Sequence, residues 1–281
     1  MIRKSYAKIN LAINILNKNE DGYHELDMIM SKINLYDKIY IDITNDSQIK
    51  ITCTNKFVPC DDSNLVYRAA QAVLENYQIN KGLNIHIAKY IPLQAGLGGG
   101  SANAATVIDM LNELFTLNMT IMDKINLSKS IGYDIPFFFY DNICRVKGYG
   151  EIIKPLNINI SKWKIILVKP NRGLSTKQVY ENVNLTTCAH PDITKVIEAL
   201  EQDNYDSYVK EAANSLEQSA INIKGIINTI MNELYDLGVD KCMVCGSGST
   251  VVAFSQSLEV CTKIKKAHQN KKNFVYLTNI I

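Results

Sequence analysis

The sequence is poor in arginine and has no strong charge of either sign. Its 30 basic residues are balanced by 28 acidic ones, so the formal net charge is +2. The only arginines are Arg3, Arg68, Arg145 and Arg172. Because nucleic-acid and membrane surfaces rely on concentrated positive charge, we expect neither kind of partner.

Long apolar runs are also missing. No stretch approaches the ~18 apolar residues of a membrane helix, and the opening residues MIRKSYAKIN carry no apolar signal core. The seven cysteines are an odd number, which without a secretion signal favours free thiols in a reducing cytoplasm. Cys242 and Cys245 form one C-x-x-C, but no second pair or suitably spaced His follows. We therefore do not expect this pair to bind zinc or to act as a redox-active dithiol.

What remains is the composition of a globular protein. Hydrophobic residues make up 47% of the 281 residues and charged residues 21%. This length suits two domains or one large domain. Nothing in the sequence decides between a monomer and a homodimer.

A cluster of glycines separates a predicted strand from a predicted helix. Residues 83–87 alternate apolar and polar side chains, as in a half-buried strand. The apolar residues within 104–115 have helical spacing. Between them lie Gly96 and the run Gly98–Gly100, followed by Ser101. Glycine N–H groups and a helix start together form a site for phosphate oxygens, although a plain strand-to-helix turn is the alternative.

This glycine segment is neither of the two familiar phosphate loops. A Walker loop needs Lys and then Ser or Thr directly after its last glycine. Here Ser101 and Ala102 follow, and the next lysine is Lys124. A dinucleotide fingerprint needs Gly or Ala where this chain has Ser101. Positive charge for a phosphate must therefore come from elsewhere in the chain.

Two charged side chains stand in apolar surroundings. In residues 5–16, apolar side chains form one face of a predicted strand, whereas Lys8 and Asn10 lie on the other. Asp134 precedes the apolar run 135–140, which we expect to be buried and extended around Pro136. A buried carboxylate is unfavourable unless it is paired or used. The alternatives are a solvated strand face for Lys8 and a turn position for Asp134.

Several ordered motifs resemble the GHMP kinases (galactokinase, homoserine kinase, mevalonate kinase and phosphomevalonate kinase). P-x-x-x-G-L-G-G-G-S-x-x-A-A begins at Pro92, and G-x-D-I-P-F-F contains Asp134. The loop GSGS at 246–249 is similar to the third motif of these enzymes, although Cys245 replaces their usual Ser. The strand A-K-I-N-L and the following D-G-Y-H-x-L at 21–26 resemble one branch, the 4-diphosphocytidyl-2-C-methyl-D-erythritol kinases.

The resemblance implies an α+β, two-domain GHMP kinase fold. Its N-terminal ATP-binding domain, over 1–155, would be ribosomal-protein-S5-domain-2-like, and its C-terminal domain, over 156–281, ferredoxin-like. The implied reaction is ATP-dependent phosphorylation of the 2-hydroxyl of 4-diphosphocytidyl-2-C-methyl-D-erythritol in non-mevalonate isoprenoid synthesis, with Mg²⁺ bound to ATP. One alternative is another GHMP kinase, whose substrate would have no cytosine to contact Tyr23 and His24. The other is a non-catalytic nucleotide-binding module, which would not need Lys8 or Asp134.

The resemblance also implies roles for individual residues. Asp134 would be the catalytic base, Lys8 an active-site cation and Ser101 a candidate ligand of Mg²⁺. Implied ATP contacts are Asn64, Lys89, Pro92, Leu93, Gln94, Ala95, Gly96, Leu97, Gly98, Gly99, Gly100, Ser101, Ala102 and Asn103. Implied substrate contacts are Asn10, Tyr23, His24, Thr176, Tyr180, Gly246, Ser247 and Gly248. In this assignment Tyr23 and Tyr180 stack on cytosine and His24 hydrogen-bonds to its edge. The alternatives to these roles are ordinary packing, helix capping at Asn64 and a hairpin turn at 246–249.

The remaining patterns predict further elements. Residues 61–78 have the apolar stripe of a helix that Asp62 or Ser63 would cap. Thr120 and Asp123 resemble a capping box for a helix ended by Gly132. Helices are also predicted over 192–214 and over 217–237, a hairpin over 143–156, and a last hairpin, helix and strand that suggest a ferredoxin-like layer. His86, His190 and His268 show no partner in the sequence.

Overall fold

The structure is a computed structural model that describes residues 1–20, 22–160, 163–269 and 271–281. The strands in chain order are β1 (Ile2–Lys18), β2 (His24–Thr44), β3 (Ile49–Cys53), β4 (Gly82–Ala88), β5 (Cys144–Gly148), β6 (Ile152–Pro155), β7 (Lys164–Lys169), β8 (Lys241–Val244), β9 (Val251–Ser255) and β10 (Phe274–Thr278). The α-helices are α1 (Leu65–Asn76), α2 (Gly99–Leu114), α3 (Ile121–Ser128), α4 (Thr176–Glu181), α5 (Ile193–Glu201), α6 (Tyr205–Glu211), α7 (Glu217–Ile223), α8 (Ile226–Asp236) and α9 (Leu258–Gln269). The α+β content matches the predicted class.

Contacts between residues divide the chain into two compact units, and both are discontinuous in sequence. The first unit comprises Met1–Ala7, Leu35–Ile91 and Gly98–Asp141. The second comprises Lys8–Asn34, Pro92–Leu97 and Asn142–Ile281. Strands β1 and β2 contribute residues to both units. The domain boundary near Pro155 stays a prediction.

The first unit contains a small sheet and a pair of packed helices. Strand β4 has β3 as its parallel partner and the second half of β2 as its antiparallel partner, so Ile85 pairs with both Ile51 and Ile41. All three isoleucines are buried. Helix α1 packs against α2 and β3, because its buried face of Val66, Ala69 and Val73 recurs at helical spacing. This packing holds the start of α2, which includes Gly99 and Gly100 of the glycine run.

The second unit contains the predicted ferredoxin-like layer. Its four-stranded antiparallel sheet has the order β10–β7–β9–β8, and helices α8 and α9 pack against it. This order, with a β8–β9 hairpin between the two helical connections, confirms the prediction. The same unit also holds β5, which pairs with the first part of β2 and forms the predicted hairpin with β6.

Two of the observed helix ends agree with what the sequence predicts, and two differ from it. The Thr120–Asp123 capping box is present, and Gly238, with φ of +92°, follows the end of α8. The predicted caps Asp62 and Ser63 are wrong, because the Asn64 side chain accepts from Val66 N at the start of α1. Gly132 does not end α3, which stops at Ser128.

Three predicted boundaries need larger corrections. The apolar run 135–140 is not extended, because Pro136–Phe139 forms a 3-10 helix with proline at its first position, where the missing N–H has no cost. The helix predicted over 192–214 breaks after Glu201, where Asp203 has a positive φ and Asn204 caps a new helix. The helix predicted over 217–237 breaks at residues 224–225.

Strand β2 is much longer than the segment 37–43 in which alternation is visible. In its first half, consecutive side chains such as Met28, Ile29 and Met30 are all buried, so no polar face marks the strand. The five residues of β3 were not predicted. The turn between β1 and β2 includes Gly22, whose φ is +85°, whereas Asp21 of the D-G-Y-H-x-L motif lies outside the described residues. No helix in the described ranges is long and apolar enough to cross a membrane.

Candidate active site

Lys8 and Asn10 form a buried polar pair on β1 in the second unit. They lie two residues apart and therefore on the same side of the strand. Lys8 Nζ donates to Asn10 Oδ1 at 2.7 Å, and Asn10 Nδ2 lies 3.3 Å from Met28 Sδ. Only 5% of Lys8 and 3% of Asn10 is exposed, so this is not a solvated strand face. Among the described residues the Lys8 ammonium has no ion-pair partner, which leaves its charge available to a ligand.

The segment 92–97 packs against the loop 245–249 within the second unit. Gly96 has φ of +74°, and a Cβ on it would overlap the carbonyl oxygen of Cys245. Cys245 Sγ also lies 3.5 Å from Gly96 O, and Ser249 N donates to Gln94 O. Only glycine permits this approach of the two backbones. The contact brings the two glycine segments of this unit together.

Gly246 lies directly beside the Lys8–Asn10 pair. Its φ is +57°, and a Cβ on it would lie 3.4 Å from Lys8 Nζ and 3.5 Å from Asn10 Oδ1. The Lys8 backbone N–H donates to Leu97 O at 3.0 Å. Gly246 therefore lies beside the buried ammonium, while the segment 92–97 contacts the backbone of Lys8.

Asn214 holds the 246–249 loop in place, and sequence reasoning missed it. Its Nδ2 donates to Val244 O at 2.7 Å and to Gly246 O at 2.9 Å, while its Oδ1 accepts from Leu216 N at 2.9 Å. The side chain is buried. Because the two carbonyl groups that it holds lie 30 and 32 residues along the chain, no local pattern marks this role.

An aromatic cluster in the second unit includes the predicted cytosine contacts. The rings of His24 and Tyr180 are 5.5 Å apart, and Tyr23 is in edge contact with Tyr149 at 5.8 Å. His24 is buried, whereas about half of Tyr23 is exposed. Burial, followed by the charge of Lys18, lowers the pKa of His24. The neutral imidazole favoured at pH 7 has one donor and one acceptor nitrogen, which suits recognition of a base edge.

Thr176 and Tyr180 lie one helical turn apart on α4, so they share a face. Ser175 caps this helix, with its side chain accepting from Gln178 N. Thr176 Oγ1 lies 2.9 Å from Ser247 Oγ. The helix thus connects the 246–249 loop with the ring of His24, and these are all predicted substrate contacts.

In the first unit, helix α2 begins with backbone donors that have no acceptor within the helix. Gly98, with φ of +68°, precedes it and provides no side-chain cap. Ala102 N is the first to bond back, to Gly98 O, so the N–H groups of Gly99, Gly100 and Ser101 have no intrahelical acceptor. Such a start, with the positive end of the helix dipole, favours an anion.

The other predicted nucleotide contacts of this unit have partners within it. Lys89 forms a buried ion pair with Asp37 at 2.6 Å, and Asn103 Nδ2 donates to the same carboxylate at 3.0 Å. Asn64 caps α1 and also donates to Pro59 O at 2.6 Å, so the capping alternative is observed. Asp37 did not stand out in the sequence, since it lies inside a long strand.

Asp134 lies in the turn before the 3-10 helix of the first unit, and it is partly exposed. The buried residues Pro136–Phe138 follow it. Its carboxylate accepts no hydrogen bond from the residues that the structure describes, so both oxygens are available. Asp134 does precede a buried segment, but that segment is helical, and the carboxylate itself occupies a turn, as in the alternative interpretation.

Neither the cysteines nor the remaining histidines form a metal site within the described ranges. The described ranges contain no cluster of three or more His, Cys, Asp or Glu able to hold a metal. The three histidines, for which the sequence showed no partner, do have neighbours. His86 lies 2.8 Å from Thr52 Oγ1, and His190 lies 3.0 Å from Asn14 Oδ1. His268 is fully buried and 3.7 Å from Glu233.

Comparison with known proteins first identifies the class of protein to which this chain belongs. The profile of the GHMP kinases N terminal domain matches residues 64–142. A crystal structure of a 4-(cytidine 5'-diphospho)-2C-methyl-D-erythritol kinase, 26% identical, superposes with a TM-score of 0.84 over 100% of this chain and 99% of that chain. A homoserine kinase from Cytophaga hutchinsonii, 16% identical, shares the fold with a TM-score of 0.76 over 99% and 95% of the two chains. The fold is that of a GHMP kinase, as predicted.

Full-length relatives narrow the class to one family. The 4-diphosphocytidyl-2-C-methyl-D-erythritol kinase of Clostridium perfringens is 37% identical over 284 residues, covering 100% of this chain and 98% of the relative. The Bacillus subtilis enzyme of the same name is 34% identical, covering 100% and 97%. The chain therefore belongs to the 4-diphosphocytidyl-2-C-methyl-D-erythritol kinase family, whose members are ATP-dependent small-molecule kinases. The family predicted from the motifs is confirmed.

Proposed function

We propose that this chain transfers the γ-phosphate of ATP to the 2-hydroxyl of 4-diphosphocytidyl-2-C-methyl-D-erythritol. The observation that carries the proposal is the full-length match to kinases named for that substrate, at 37% and 34% identity. The His24–Tyr180 contact beside the loop 246–249 supports it, since a cytidine needs an aromatic surface and a hydrogen-bonding edge.

The proposed ATP phosphates lie at the start of α2 in the first unit. The free N–H groups of Gly99, Gly100 and Ser101 and the helix dipole support this assignment. Ala102 continues the first turn of α2, and Pro92, Leu93, Gln94, Ala95, Gly96 and Leu97 stay ATP contacts predicted from the sequence motif. Lys89, Asn64 and Asn103 are the proposed contacts to the rest of the nucleotide.

In the proposed chemistry, Asp134 accepts the proton of the substrate hydroxyl. The hydroxyl oxygen then forms a bond to the γ-phosphorus as the bond from that phosphorus to the ADP oxygen breaks. The Lys8 ammonium neutralises charge on the phosphoryl oxygens, and Asn10 holds that ammonium in place through the 2.7 Å hydrogen bond. Alignment and charge neutralisation supply most of the rate in reactions of this type.

Mg²⁺ is part of the proposal as the partner of ATP. A site with few acidic side chains fits a metal held mainly by phosphates, and the described ranges contain no acidic or His/Cys cluster of three or more. Ser101, at the start of α2, is the proposed side-chain ligand. The bound ion would neutralise phosphate charge. We also propose that the enzyme acts in the cytoplasm, where its seven cysteines remain reduced.

Release of ADP from ATP tests the proposal with three acceptors assayed side by side. These are 4-diphosphocytidyl-2-C-methyl-D-erythritol, mevalonate and homoserine, each at matched concentrations with Mg²⁺. We expect kcat/KM to be at least ~100-fold higher for the cytidine compound, because only it has a base for the aromatic cluster. Chelation by EDTA should stop turnover and added Mg²⁺ should restore it. Faster turnover of mevalonate or homoserine would refute the assignment.

A further inference from the structure

Asp37 is a fully buried carboxylate of the first unit whose acceptor sites are all in use. Its Oδ2 accepts from Lys89 Nζ at 2.6 Å and from Asn103 Nδ2 at 3.0 Å. Its Oδ1 accepts from the backbone N–H groups of Tyr90 at 2.7 Å and Ile91 at 2.8 Å. An ionised carboxylate has about four acceptor positions, so no further ligand is expected on it.

The four donors come from the two segments that border the glycine segment. Residues 89–91 lead into it, and Asn103 lies in the second turn of α2, after it. Lys89 Nζ also lies close to the helix start, since a Cβ on Gly99 would be 3.0 Å from it. One carboxylate therefore joins the strand exit and the helix start around the proposed phosphate site.

Stability alone is a poor explanation for such a buried ion pair. Removing two charges from water offsets most of their mutual attraction, and apolar replacements are often as stable. Burial lowers the pKa of Lys89, and the Asp37 charge opposes that change. The arrangement gives a fixed geometry for the ammonium rather than extra net stability.

Asp37 also determines which atom Asn103 presents. A carboxylate only accepts, so the amide must turn Nδ2 toward it. Asn103 Oδ1 is then left as a buried acceptor that has no hydrogen-bond partner among the described residues. A buried acceptor of this kind needs a donor from a ligand or from water.

We propose that Asp37 is a positioning residue for ATP, which acts through Lys89, Asn103 and the backbone of residues 90–91 without touching the nucleotide. The inference rests on the proposed function only in its assignment of ATP to the first unit. It predicts that loss of the carboxylate weakens the enzyme's use of ATP and leaves its use of the acceptor unchanged.

A double-mutant cycle in the full chain tests this inference. Asp37→Asn should raise the KM for ATP about tenfold or more, which is the size expected for lost hydrogen bonds to a charged group. The value of kcat and the KM for the cytidine acceptor should stay within about threefold. Lys89→Met should raise the KM for ATP similarly, and the double variant should raise it by less than the product of the two single effects, because part of the Asp37 effect acts through Lys89.

Asp109→Asn is the matched control, since it breaks a 2.6 Å ion pair with Lys124 in the same unit. Its KM for ATP should stay within about twofold of wild type. If Asp37→Asn does not fold, Asp37→Glu keeps the charge but misaligns the four donors, and its KM for ATP should rise about threefold or more. An unchanged KM for ATP in the folded Asp37 variant, or equal changes in both KM values, would overturn the inference.

Calorimetric titration with ATP alone separates this inference from the proposed function. Wild type should bind ATP about tenfold or more tightly than the Asp37 variant, whichever acceptor is phosphorylated. If the cytidine acceptor fails while this difference persists, only the proposed function is wrong. If the two proteins bind ATP equally, the role of Asp37 is wrong.

Discussion

Gly96→Ala should damage both stability and activity, because two backbones meet at this glycine. Gly96 has φ of +74°, a conformation that costs a residue with a Cβ about 1–2 kcal/mol. The added carbon would overlap Cys245 O and lie 3.0 Å from Cys245 C and 3.1 Å from Gly248 N. These are backbone atoms, so no side-chain rotation relieves the contact.

The expected size follows from these two effects. Overpacking of this kind typically costs about 1–3 kcal/mol, so the free energy of unfolding should fall by about 3 kcal/mol in all. In a chain of this length, about 2 °C of melting temperature corresponds to 1 kcal/mol. We therefore expect a decrease of about 6 °C.

Separation of the two loops would also move Leu97 O, which accepts from Lys8 N, and kcat/KM should fall at least ~10-fold.

Thermal unfolding followed by circular dichroism, together with the ADP-release assay, measures both effects. Gly225→Ala is the matched control in the same unit, because Gly225 has an ordinary φ of −54° and nothing within 4 Å of an added Cβ. Its melting temperature should change by less than about 2 °C. A Gly96→Ala protein with unchanged melting temperature and unchanged kcat/KM would refute the close approach on which this reasoning depends.

Three further predictions concern single side chains. Asp134→Asn should keep the affinity for ATP and lower kcat by about 10²–10⁴-fold, because it removes the proposed base. Tyr23→Ala should raise the KM for the cytidine acceptor about tenfold, the size of a lost stacking contact, with little change in the KM for ATP. Burial lowers the pKa of His268 despite the opposing charge of Glu233. Its stabilising effect is therefore complete above about pH 6.5, the pKa of an unfolded imidazole, and is lost as the pH falls. The melting temperature should drop between pH 7.5 and 5.5, and His268→Gln should reduce that drop.

Each of these predictions has an outcome that would contradict it. Undiminished turnover in Asp134→Asn would remove Asp134 as the base, with Asp109→Asn as the control for loss of one carboxylate. Equal effects of Tyr23→Ala on ATP and on the acceptor would show that the aromatic cluster is not a cytidine site. An unchanged pH dependence of the melting temperature in His268→Gln would show that this imidazole does not cause the loss at low pH.

The sequence was most informative where function requires a particular short pattern. The glycine run at the start of α2 and the loop 246–249 are visible because backbone conformations with positive φ favour glycine at Gly98 and Gly246. The Thr120–Asp123 capping box is visible because both partners lie within one helical turn. The ferredoxin-like layer followed from the order of its strands and helices.

What the sequence did not reveal depends on residues far apart in the chain. Asp37 and Asn103 are separated by 66 positions, and Asn214 and Gly246 by 32. Nothing near Asp37 distinguishes it from a surface carboxylate, because its donors belong to other elements. The 3-10 helix at Pro136–Phe139 was missed for a similar reason: its three phenylalanines are compatible with a strand, and tertiary packing decides between the two.

The absent Walker lysine raises the question of where the positive charge for a phosphate originates. In the first unit Lys89 is not a sufficient answer, because its ammonium is already neutralised by Asp37 at 2.6 Å. The pair has little net charge, so the unpaired N–H groups of α2 remain the main source of positive potential there. In the second unit, Lys8 has Asn10 as a hydrogen-bond partner and no carboxylate among the described residues. A neutral partner fixes the position of an ammonium without cancelling its charge. Lys89 is thus suited to hold a ligand by directed hydrogen bonds, and Lys8 to act through its charge.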